Sequence, residues 1–192
     1  MNQSLPPEYF EKMYRENPDP WNFETSEYEA KKYQATLAAL PKTFYHNALE
    51  IGGSIGVLTA MLAPLCQNLL SLDVSETAQK KAIQRCQNLP QVRFQIMRFP
   101  ETYPAAIFDL ILVSEVGYYW GDADLVKSQQ LILEHLQLGG HLLLVHWTPY
   151  VADYPLTGDR VHDSFLKLNP EKLRHLKGRR EDKYRLDLFE RV

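Results

Sequence analysis

The feature that most constrains the fold of this chain is an apolar run followed by closely spaced glycines. Residues 48–51 are typical of a buried strand, and residues 57–62 are typical of a helix. Gly52, Gly53 and Gly56 lie between them, and glycine suits a turn because a Cβ would block positive φ angles and close approach. A strand, a glycine turn and a helix bring backbone N–H groups up to a small ligand. The pattern predicts an α/β fold with a ligand site, although a turn that binds nothing has the same pattern.

The spacing of the small residues separates two kinds of nucleotide site. A dinucleotide turn follows Gly-x-Gly-x-x-Gly, so that its amides meet a pyrophosphate. In this chain Glu50 is followed by small residues at Gly52, Ser54 and Gly56. This shorter spacing disfavours a nicotinamide-dependent oxidoreductase and suits a cofactor without a pyrophosphate.

A second apolar run ends in an acid. Residues 69–72 precede Asp73 and Val74. Asp73 lies about twenty residues beyond the glycines, where an α/β nucleotide site places a carboxylate for the ribose hydroxyls. An acid at this place is also a common N-cap of the next helix. Taken with the glycine turn, the ribose role is favoured.

Composition limits the other classes of function. The chain has 192 residues, 45% of them hydrophobic, which suits a single domain with a substantial core. Its net charge of −3 gives no reason to expect a nucleic-acid partner. Two cysteines make neither a disulfide framework nor a metal site, and the apolar runs are too short to span a membrane. We therefore expect a cytoplasmic protein without a metal or a membrane partner; the oligomeric state stays open.

Two helices are predicted before the first strand. One opens at Pro6, since proline suits the first turn of a helix. The other follows Ser26, which forms a capping-box pair with Glu29. Residues 1–41 are expected to form a helical lid on a catalytic core of residues 47–192, and the alternative, favoured for most of these residues, is ordinary packing against the sheet. The aromatic residues of the lid that are candidates for ligand contact are Trp21, Tyr28 and Tyr33.

Three more strands and a hairpin are predicted downstream. Apolar patterns indicate strands at residues 92–96, 108–116 and 141–147. Alternation in the tail predicts an antiparallel hairpin over residues 174–188, although residues 171–177 fit a helical turn equally well. Predicted N-caps are Ser75, Asp122 and Asp159, and predicted helix stops are Gly139 with Gly140 and Asn169 with Pro170.

Polar and aromatic residues follow the fourth and fifth strands, at the edge where ligands of open α/β sheets bind. Glu115, His146 and His162 are candidate general bases, which would take a proton from the substrate that is bound at this edge. Glu115 equally suits a cofactor ammonium group, and each histidine equally suits a structural role. The aromatic candidates for an acceptor cleft, or for ordinary packing, are Tyr118, Tyr119, Trp120 and Trp147.

The third strand is not followed directly by an acid. The run after it is Met97, Arg98 and Phe99, and the first acid is Glu101. In the class I S-adenosylmethionine-dependent methyltransferases, which the glycine turn and Asp73 resemble, an acid at this place often bonds the adenine ring. The resemblance therefore implies that the backbone of residues 97–99 makes this bond here.

Together these features resemble the class I S-adenosylmethionine-dependent methyltransferases, in which many members have glycine at the position of Ser54. More narrowly, residues 19–21, 28–33, 108–119 and 158–162 resemble the NodS-type nodulation N-methyltransferases. The resemblance implies a Rossmann-like, seven-stranded methyltransferase sheet with helices on both faces and an antiparallel C-terminal hairpin. It implies S-adenosylmethionine as cofactor, and it carries over Gly52, Gly53, Ser54, Gly56 and Asp73 as cofactor contacts. The positions of other residues along the chain add further candidates for cofactor contact, which are Trp21, Tyr33, Glu50, Val74, Met97, Arg98, Phe99, Ser114 and Glu115.

The same resemblance implies methyl transfer to a small-molecule or oligosaccharide acceptor at an amine nitrogen. NodS-type enzymes methylate the free amine at the end of a deacetylated chitooligosaccharide. Two other classes stay open. A cofactor-binding module without catalysis is allowed by Ser54 and by the missing adenine acid, and a nicotinamide-dependent oxidoreductase is the less favoured alternative.

Overall fold

The computed structural model describes residues 2–168 and 170–192. Its helices are α1 (Pro7–Glu16), α2 (Glu27–Ala39), α3 (Val57–Leu62), α4 (Glu76–Arg85), α5 (Asp122–His135) and α6 (Gly158–Leu166). Its strands are β1 (Tyr45–Ile51), β2 (Cys66–Asp73), β3 (Val92–Ile96), β4 (Phe108–Ser114), β5 (Leu136–Trp147), β6 (Leu173–Arg180) and β7 (Tyr184–Arg191). Two 3₁₀ turns lie at Ala63–Leu65 and Gly117–Tyr119.

The described strands form one mixed sheet of seven strands in the order β3-β2-β1-β4-β5-β7-β6. β2 pairs in parallel with β1 and β3, and β4 pairs in parallel with β5. β7 runs antiparallel to both β5 and β6. The predicted fold class, with its C-terminal hairpin, is confirmed. The alternative of a helical turn over residues 171–177 is wrong, because β6 begins at Leu173.

The described chain divides into two compact units. We call residues 6–98 the N-terminal unit; it contains α1 to α4 and β1 to β3. We call residues 2–5 together with residues 99–192 the C-terminal unit; it contains α5, α6 and β4 to β7. Residues 2–5, which belong to the predicted lid, therefore group with the C-terminal unit. The single domain stays a prediction.

Burial along the strands explains their sequences. All seven residues of β4 are buried, which accounts for its nearly continuous apolar run. In the N-terminal unit, Ala48 and Leu49 of β1 pair with Leu69 and Leu70 of β2, and three of these four side chains are buried. The glycine turn thus starts from a strand that the core fixes in place.

Two predicted N-caps are confirmed. The hydroxyl of Ser26 accepts from the Glu29 N–H at 3.3 Å, and that of Ser75 accepts from the Ala78 N–H at 3.1 Å. The predicted break at Asn169 falls outside the described residues. Across the described ranges, no helix combines the length and apolar character needed to cross a membrane.

Two other predicted N-caps are wrong. Asp122 and Asp159 lie in the first turns of α5 and α6, and the caps are Gly121 and Thr157. The Thr157 hydroxyl accepts the N–H of the third helical residue, which is the bond that a cap makes. The two carboxylates instead pair with arginines, Asp122 with Arg160 and Asp159 with Arg180 and Arg185.

The predicted helix stop at Gly139 and Gly140 is also wrong. α5 ends at His135, and both glycines lie within β5. Pairing between β4 and β5 shifts register between Phe108 and Leu110, and Gly139 has a φ of 70° there. Glycine serves a β-bulge by the same left-handed conformation that serves a helix end, so the residue type did not separate the two.

Candidate functional site

In the glycine turn of the N-terminal unit, every second residue has a left-handed backbone conformation. Gly52, Ser54 and Gly56 have φ angles of 90°, 51° and 79°. The N–H groups of Gly52 and Gly53 both donate to the Leu72 carbonyl at 2.9 Å, which ties the turn to the end of β2. A left-handed conformation costs a non-glycine residue about 1–2 kcal/mol, so Ser54 requires compensation from its contacts.

Two glycines of the turn are required by close packing. A Cβ on Gly53 would lie 1.9 Å from the Ser71 Oγ, and a Cβ on Gly56 would lie 2.8 Å from the Ala82 Cα. The second contact is with the backbone of α4 and has no flexible side chain to give way. The turn therefore brings α4 close to its own backbone, as the glycines of nucleotide-binding turns do.

Glu50 supports the turn from inside the core. It is 1% exposed, and its Oε2 accepts from the Thr59 hydroxyl at 2.5 Å and from the Ser71 hydroxyl at 2.8 Å. Burial raises the pKa of this carboxyl. The side chain thereby links β1, α3 and β2 directly behind the turn.

Asp73 and the turn form one hydrogen-bonded structure. The Asp73 Oδ2 accepts from the Ser54 N–H at 2.8 Å, and the Asp73 Oδ1 accepts from the Ser75 N–H at 2.8 Å. Burial raises the pKa of Asp73, against the effect of these N–H donors. The alternative that Asp73 caps α4 is wrong, because Ser75 is the cap. A carboxylate oxygen accepts more than one hydrogen bond, so Asp73 can hold the turn and receive a hydroxyl.

A tyrosine that the sequence analysis missed stabilises Ser54. The Tyr14 hydroxyl lies 2.5 Å from the Ser54 Oγ, and the ring is buried against Ile55 and Ala78. Trp21 meets the Tyr14 ring edge-on at 5.7 Å. The aromatic chain Tyr14, Trp21, Phe23 and Tyr33 places two of the three predicted lid candidates, Trp21 and Tyr33, within the N-terminal unit that carries the turn.

Two further charged residues were also missed, one bonded to the turn and the other to the N-terminus of α4. Arg85 donates from Nε to the Ile55 carbonyl at 3.0 Å and pairs with Glu24. Glu11 accepts from the hydroxyls of Ser75 and Thr77 at 2.7 and 2.6 Å. No local sequence signal marks either residue, because each acts on a segment far away in the chain.

The Glu11 contacts predict a dependence of stability on pH. Hydrogen bonds from Thr77 and Ser75 lower the pKa of Glu11 from 4.5 to about 2. A carboxyl whose pKa is lower in the folded state stabilises the fold above its unfolded pKa, and this contribution is lost as the pH falls from 4.5 towards 2. We expect Glu11→Gln to cost about 1–2 kcal/mol in free energy of unfolding at pH 7 and almost nothing near pH 2, measured by urea titration. A deficit that persists at low pH contradicts this account.

The remaining cofactor candidates of the N-terminal unit lie at the ends of β2 and β3. The Met97 N–H donates to the Asp73 carbonyl at 2.9 Å. Val74, Met97 and Arg98 are partly exposed. The Met97 N–H is therefore already used within the protein and does not supply the predicted bond to adenine.

Glu115 is the polar centre of the C-terminal unit. Its Oε2 accepts from the Tyr118 hydroxyl at 2.7 Å and from the Trp147 N–H at 2.8 Å. Its φ is 56°, an uncommon value for a residue with a side chain, and its side chain is partly exposed. Such strained conformations cluster at functional sites. Ser114, which precedes it, is buried.

The two candidate histidines of the C-terminal unit are buried and adjacent. His146 and His162 are both 0% exposed, and the His146 Nδ1 lies 3.0 Å from the His162 Nε2. The other nitrogen of His146 accepts from the Gly117 N–H at 3.0 Å, and that of His162 lies 2.7 Å from the Asp187 Oδ2. Each ring nitrogen thus has a partner in the protein.

The aromatic candidates pack mostly on one another. Tyr118 stacks on Tyr154 at 5.1 Å, and Tyr119 meets Tyr154 edge-on at 4.7 Å. Trp147 is partly exposed and lies 5.9 Å from the Lys183 ammonium. Phe99 and Trp120 are both buried and in contact, with ring centroids 5.3 Å apart. Tyr154 was missed because it lies in a loop without a pattern.

The N-terminal segment is bound to the same unit. Leu5 donates from its N–H to the Tyr119 carbonyl at 2.9 Å, and the Ser4 hydroxyl bonds to Asp124. Only glycine fits at position 121, because a Cβ there would lie 2.1 Å from the Asn2 carbonyl oxygen. Among the residues that the structure describes, no group of three or more histidines, cysteines or acids is arranged to hold a metal ion.

The sheet order and the glycine turn joined to Asp73 define a Rossmann-like methyltransferase fold. The crystal structure of N-methyltransferase NodS from Bradyrhizobium japonicum WM9, in complex with S-adenosyl-L-homocysteine, superimposes with a TM-score of 0.82 at 25% identity, over 94% of this chain and 96% of that chain. A putative methyltransferase from Pseudomonas syringae gives a TM-score of 0.75 at 35% identity, over 86% of this chain and all of that chain (100%).

The family follows from the sequence comparison. The model of the family "Nodulation protein S (NodS)" matches residues 9–143, so the chain belongs to the NodS family. Nodulation protein S of Rhizobium tropici is 34% identical over 127 residues, which are 65% of this chain and 53% of that protein. The protein of the same name from Bradyrhizobium diazoefficiens is 37% identical over 108 residues, 54% of this chain and 50% of that protein. The matched part of this chain spans about half the length of each relative. The predicted family is confirmed.

Proposed function

We propose that this chain is an S-adenosylmethionine-dependent methyltransferase that methylates an amine nitrogen of a small-molecule or oligosaccharide acceptor. The observation that carries the proposal is the direct bond between the Asp73 carboxylate and the Ser54 N–H at 2.8 Å. It couples a ribose-binding acid to a glycine turn whose spacing suits a cofactor without a pyrophosphate. The similar NodS structure with S-adenosyl-L-homocysteine supports the same cofactor.

The cofactor contacts are proposed from the residues that surround the turn. Gly52, Gly53, Ser54 and Gly56 offer close backbone approach, and Trp21 offers an aromatic face that suits a sulfonium. Glu50 acts through the turn, since it is buried and bonded to Thr59 and Ser71. Because the Met97 N–H is engaged, the adenine contact is proposed for the backbone of Arg98 and Phe99.

Methyl transfer from a sulfonium is an in-line displacement, so catalysis is mainly positioning and removal of water from the acceptor. An amine must also be neutral before it attacks. Of the three candidate bases, His146 and His162 are fully buried with both ring nitrogens engaged, whereas Glu115 is partly exposed. We therefore assign the proton acceptor to Glu115, with Tyr118 and Trp147 beside it on the acceptor side, and we assign the histidines to positioning.

Cofactor binding is tested by thermal shift with S-adenosylhomocysteine, with NAD as the matched control. A ligand at a hundredfold excess over its dissociation constant adds about 2.7 kcal/mol of stability, which gives a shift of several degrees. We expect the shift with S-adenosylhomocysteine and none with NAD. A shift with NAD alone would support the oxidoreductase.

The acceptor is tested by turnover of S-adenosylmethionine with a chitosan tetramer, whose amines are free, against the fully acetylated tetramer as control. The NodS relative is an N-methyltransferase by name, which supports the amine. We expect methylation of the free amine only. If the protein binds the cofactor but methylates neither tetramer nor any simple amine, the alternative of a cofactor-binding module without catalysis would be favoured. The cytoplasmic location stays a prediction.

A further inference from the structure

Four groups in the C-terminal unit form a buried hydrogen-bonded chain, which we call the histidine relay. It runs from the Gly117 N–H to His146, from His146 to His162, and from His162 to Asp187, over distances of 3.0, 3.0 and 2.7 Å. Its members come from four elements: the 3₁₀ turn, β5, α6 and β7. All of its side chains are buried, at 0% to 2% exposure.

The direction of every bond in the relay follows from its first donor. A backbone N–H only donates, so the His146 Nε2 must accept from Gly117. A neutral imidazole carries one proton, which for His146 is then on Nδ1 and is donated to the His162 Nε2. The proton of His162 is therefore on Nδ1 and is donated to the Asp187 carboxylate.

Asp187 fixes the far end of the relay. Although burial opposes ionisation, bonds from His162 and the charge of Arg185 lower the pKa of Asp187. Arg185 donates from Nε to the Asp187 Oδ2 at 2.7 Å, and His175 lies 2.6 Å from Oδ1. An ionised carboxylate only accepts, so both ends of the relay impose the same pair of neutral tautomers.

We propose that the histidine relay is a positioning device that holds the turn at Gly117, and with it the pair of Glu115 and Tyr118, and that acid releases it. This inference rests on the proposed function only in naming Glu115 as the proton acceptor. Gly117 lies between Glu115 and Tyr118, and a Cβ there would be 2.7 Å from Val161 and 2.8 Å from the His146 Nε2. The turn is thus packed against the relay as well as bonded to it.

The effect of acid follows from the bond directions. A proton added to His162 at Nε2 would face the Nδ1–H of His146, unless His146 moves its proton to Nε2. That proton would then face the Gly117 N–H, and two donors cannot share a hydrogen bond. A proton added to either histidine of the relay therefore breaks one of its bonds or displaces the turn. Charged and titratable groups surround the relay. The Tyr118 ring lies 5.5 Å from the His146 ring and its hydroxyl bonds Glu115, Arg185 and His175 bond Asp187, and Asp159 and Asp163 on α6 pair with Arg185.

The lowered pKa of His162 predicts the same direction of pH dependence as the bond directions. Burial lowers the pKa of His162 below its ordinary value of 6.5, against the charge of Asp187. A histidine with a lowered pKa keeps its neutral form in the fold, and acid below about 6.5 works against the folded arrangement. The relay is therefore intact at neutral pH, and within the fold His162 takes up a proton only at a pH below 6.5.

The test uses nitrogen-15 NMR of the full chain, which needs no methyl acceptor. In the parent protein we expect His146 and His162 as neutral Nδ1–H tautomers at pH 7.5, and a Gly117 amide proton shifted downfield by its bond to a ring nitrogen. On acidification the Gly117 amide and the Tyr118 ring should change together with the two imidazoles. An Nε2–H tautomer in either histidine at pH 7.5 would overturn the proposal.

Variants provide the second arm. His162→Phe keeps a ring of similar size and removes both nitrogens, and His175→Gln is the matched control, since it changes a contact of the same carboxylate outside the relay. We expect His162→Phe to shift the Gly117 amide upfield and to lower kcat for the chitosan tetramer about tenfold or more, with an unchanged dissociation constant for S-adenosylhomocysteine. His175→Gln should leave all three unchanged. If His162→Phe does not fold, the pH titration of the parent decides alone.

The outcomes distinguish the relay from the proposed function. A Gly117 amide unaffected in folded His162→Phe, or a shifted amide with unchanged turnover, overturns the positioning role. If the tautomers and the amide behave as expected while S-adenosylhomocysteine does not bind, the proposed function fails and the relay is supported.

Discussion

Replacing Asp73 with alanine should lower the affinity for S-adenosylhomocysteine by one to two decades or more. A hydrogen bond between a carboxylate and a hydroxyl contributes roughly 1.5–3 kcal/mol, and every 1.4 kcal/mol is about tenfold in affinity. The structure adds a second loss. The Ser54 N–H loses its acceptor, so the left-handed turn that we propose as the cofactor site is no longer tied to β2 by this bond. Asp73→Ala should therefore also lower the melting temperature.

A second variant separates the two losses. Glu11→Gln weakens the bonds at the N-terminus of α4 without removing the Asp73 carboxylate. It should lose stability and keep its affinity, whereas Asp73→Ala should lose both, as measured by calorimetric titration and thermal melting. Unchanged affinity in Asp73→Ala would remove the ribose role and with it the main support for the cofactor.

Local signals explain what could be predicted from the sequence. The glycine turn and the acid after β2 follow from short-range patterns, because strand ends and positive φ angles are encoded by neighbouring residues. Apolar patterns along the strands and serines at helix N-caps are also local signals, and they identified most of the helices and strands. The same patterns, with the resemblance to a known family, were enough for the fold class.

Contacts between distant segments explain what could not be predicted. Tyr14 bonds to a residue 40 positions away, and Glu11 to residues 64 and 66 positions away. No local pattern records such pairs. Gly139 failed for a different reason, because one conformation serves both a helix end and a bulge.

The histidines show a limit on site prediction. His146 lies near the end of β5 and His162 lies in α6, and their positions in the sequence are compatible with either role. The structure shows both rings turned into the core, bonded to each other. Only the partners of the ring nitrogens distinguish a base from a positioning residue, and those partners come from separate elements.

Glu115→Gln should lower turnover on the chitosan tetramer about a hundredfold or more, because a positioned base typically contributes 10²–10⁴ in rate. The substitution is close to isosteric. Both bonds to Tyr118 and Trp147 go to the single oxygen Oε2, which the amide oxygen of glutamine can replace. The turn and the fold should therefore survive, and the loss reports the missing charge and basicity.

The measurement separates two roles of this carboxylate. If Glu115 takes the proton of the acceptor, Glu115→Gln keeps its affinity for S-adenosylhomocysteine and loses kcat. If it orients the cofactor ammonium group, affinity and turnover fall together. Glu134→Gln is the matched control, since it removes one carboxylate charge from an exposed position on α5 of the same unit. Full turnover in Glu115→Gln would show that the acceptor side is assigned wrongly, while the cofactor site at Asp73 would be unaffected, because its contacts lie within the N-terminal unit.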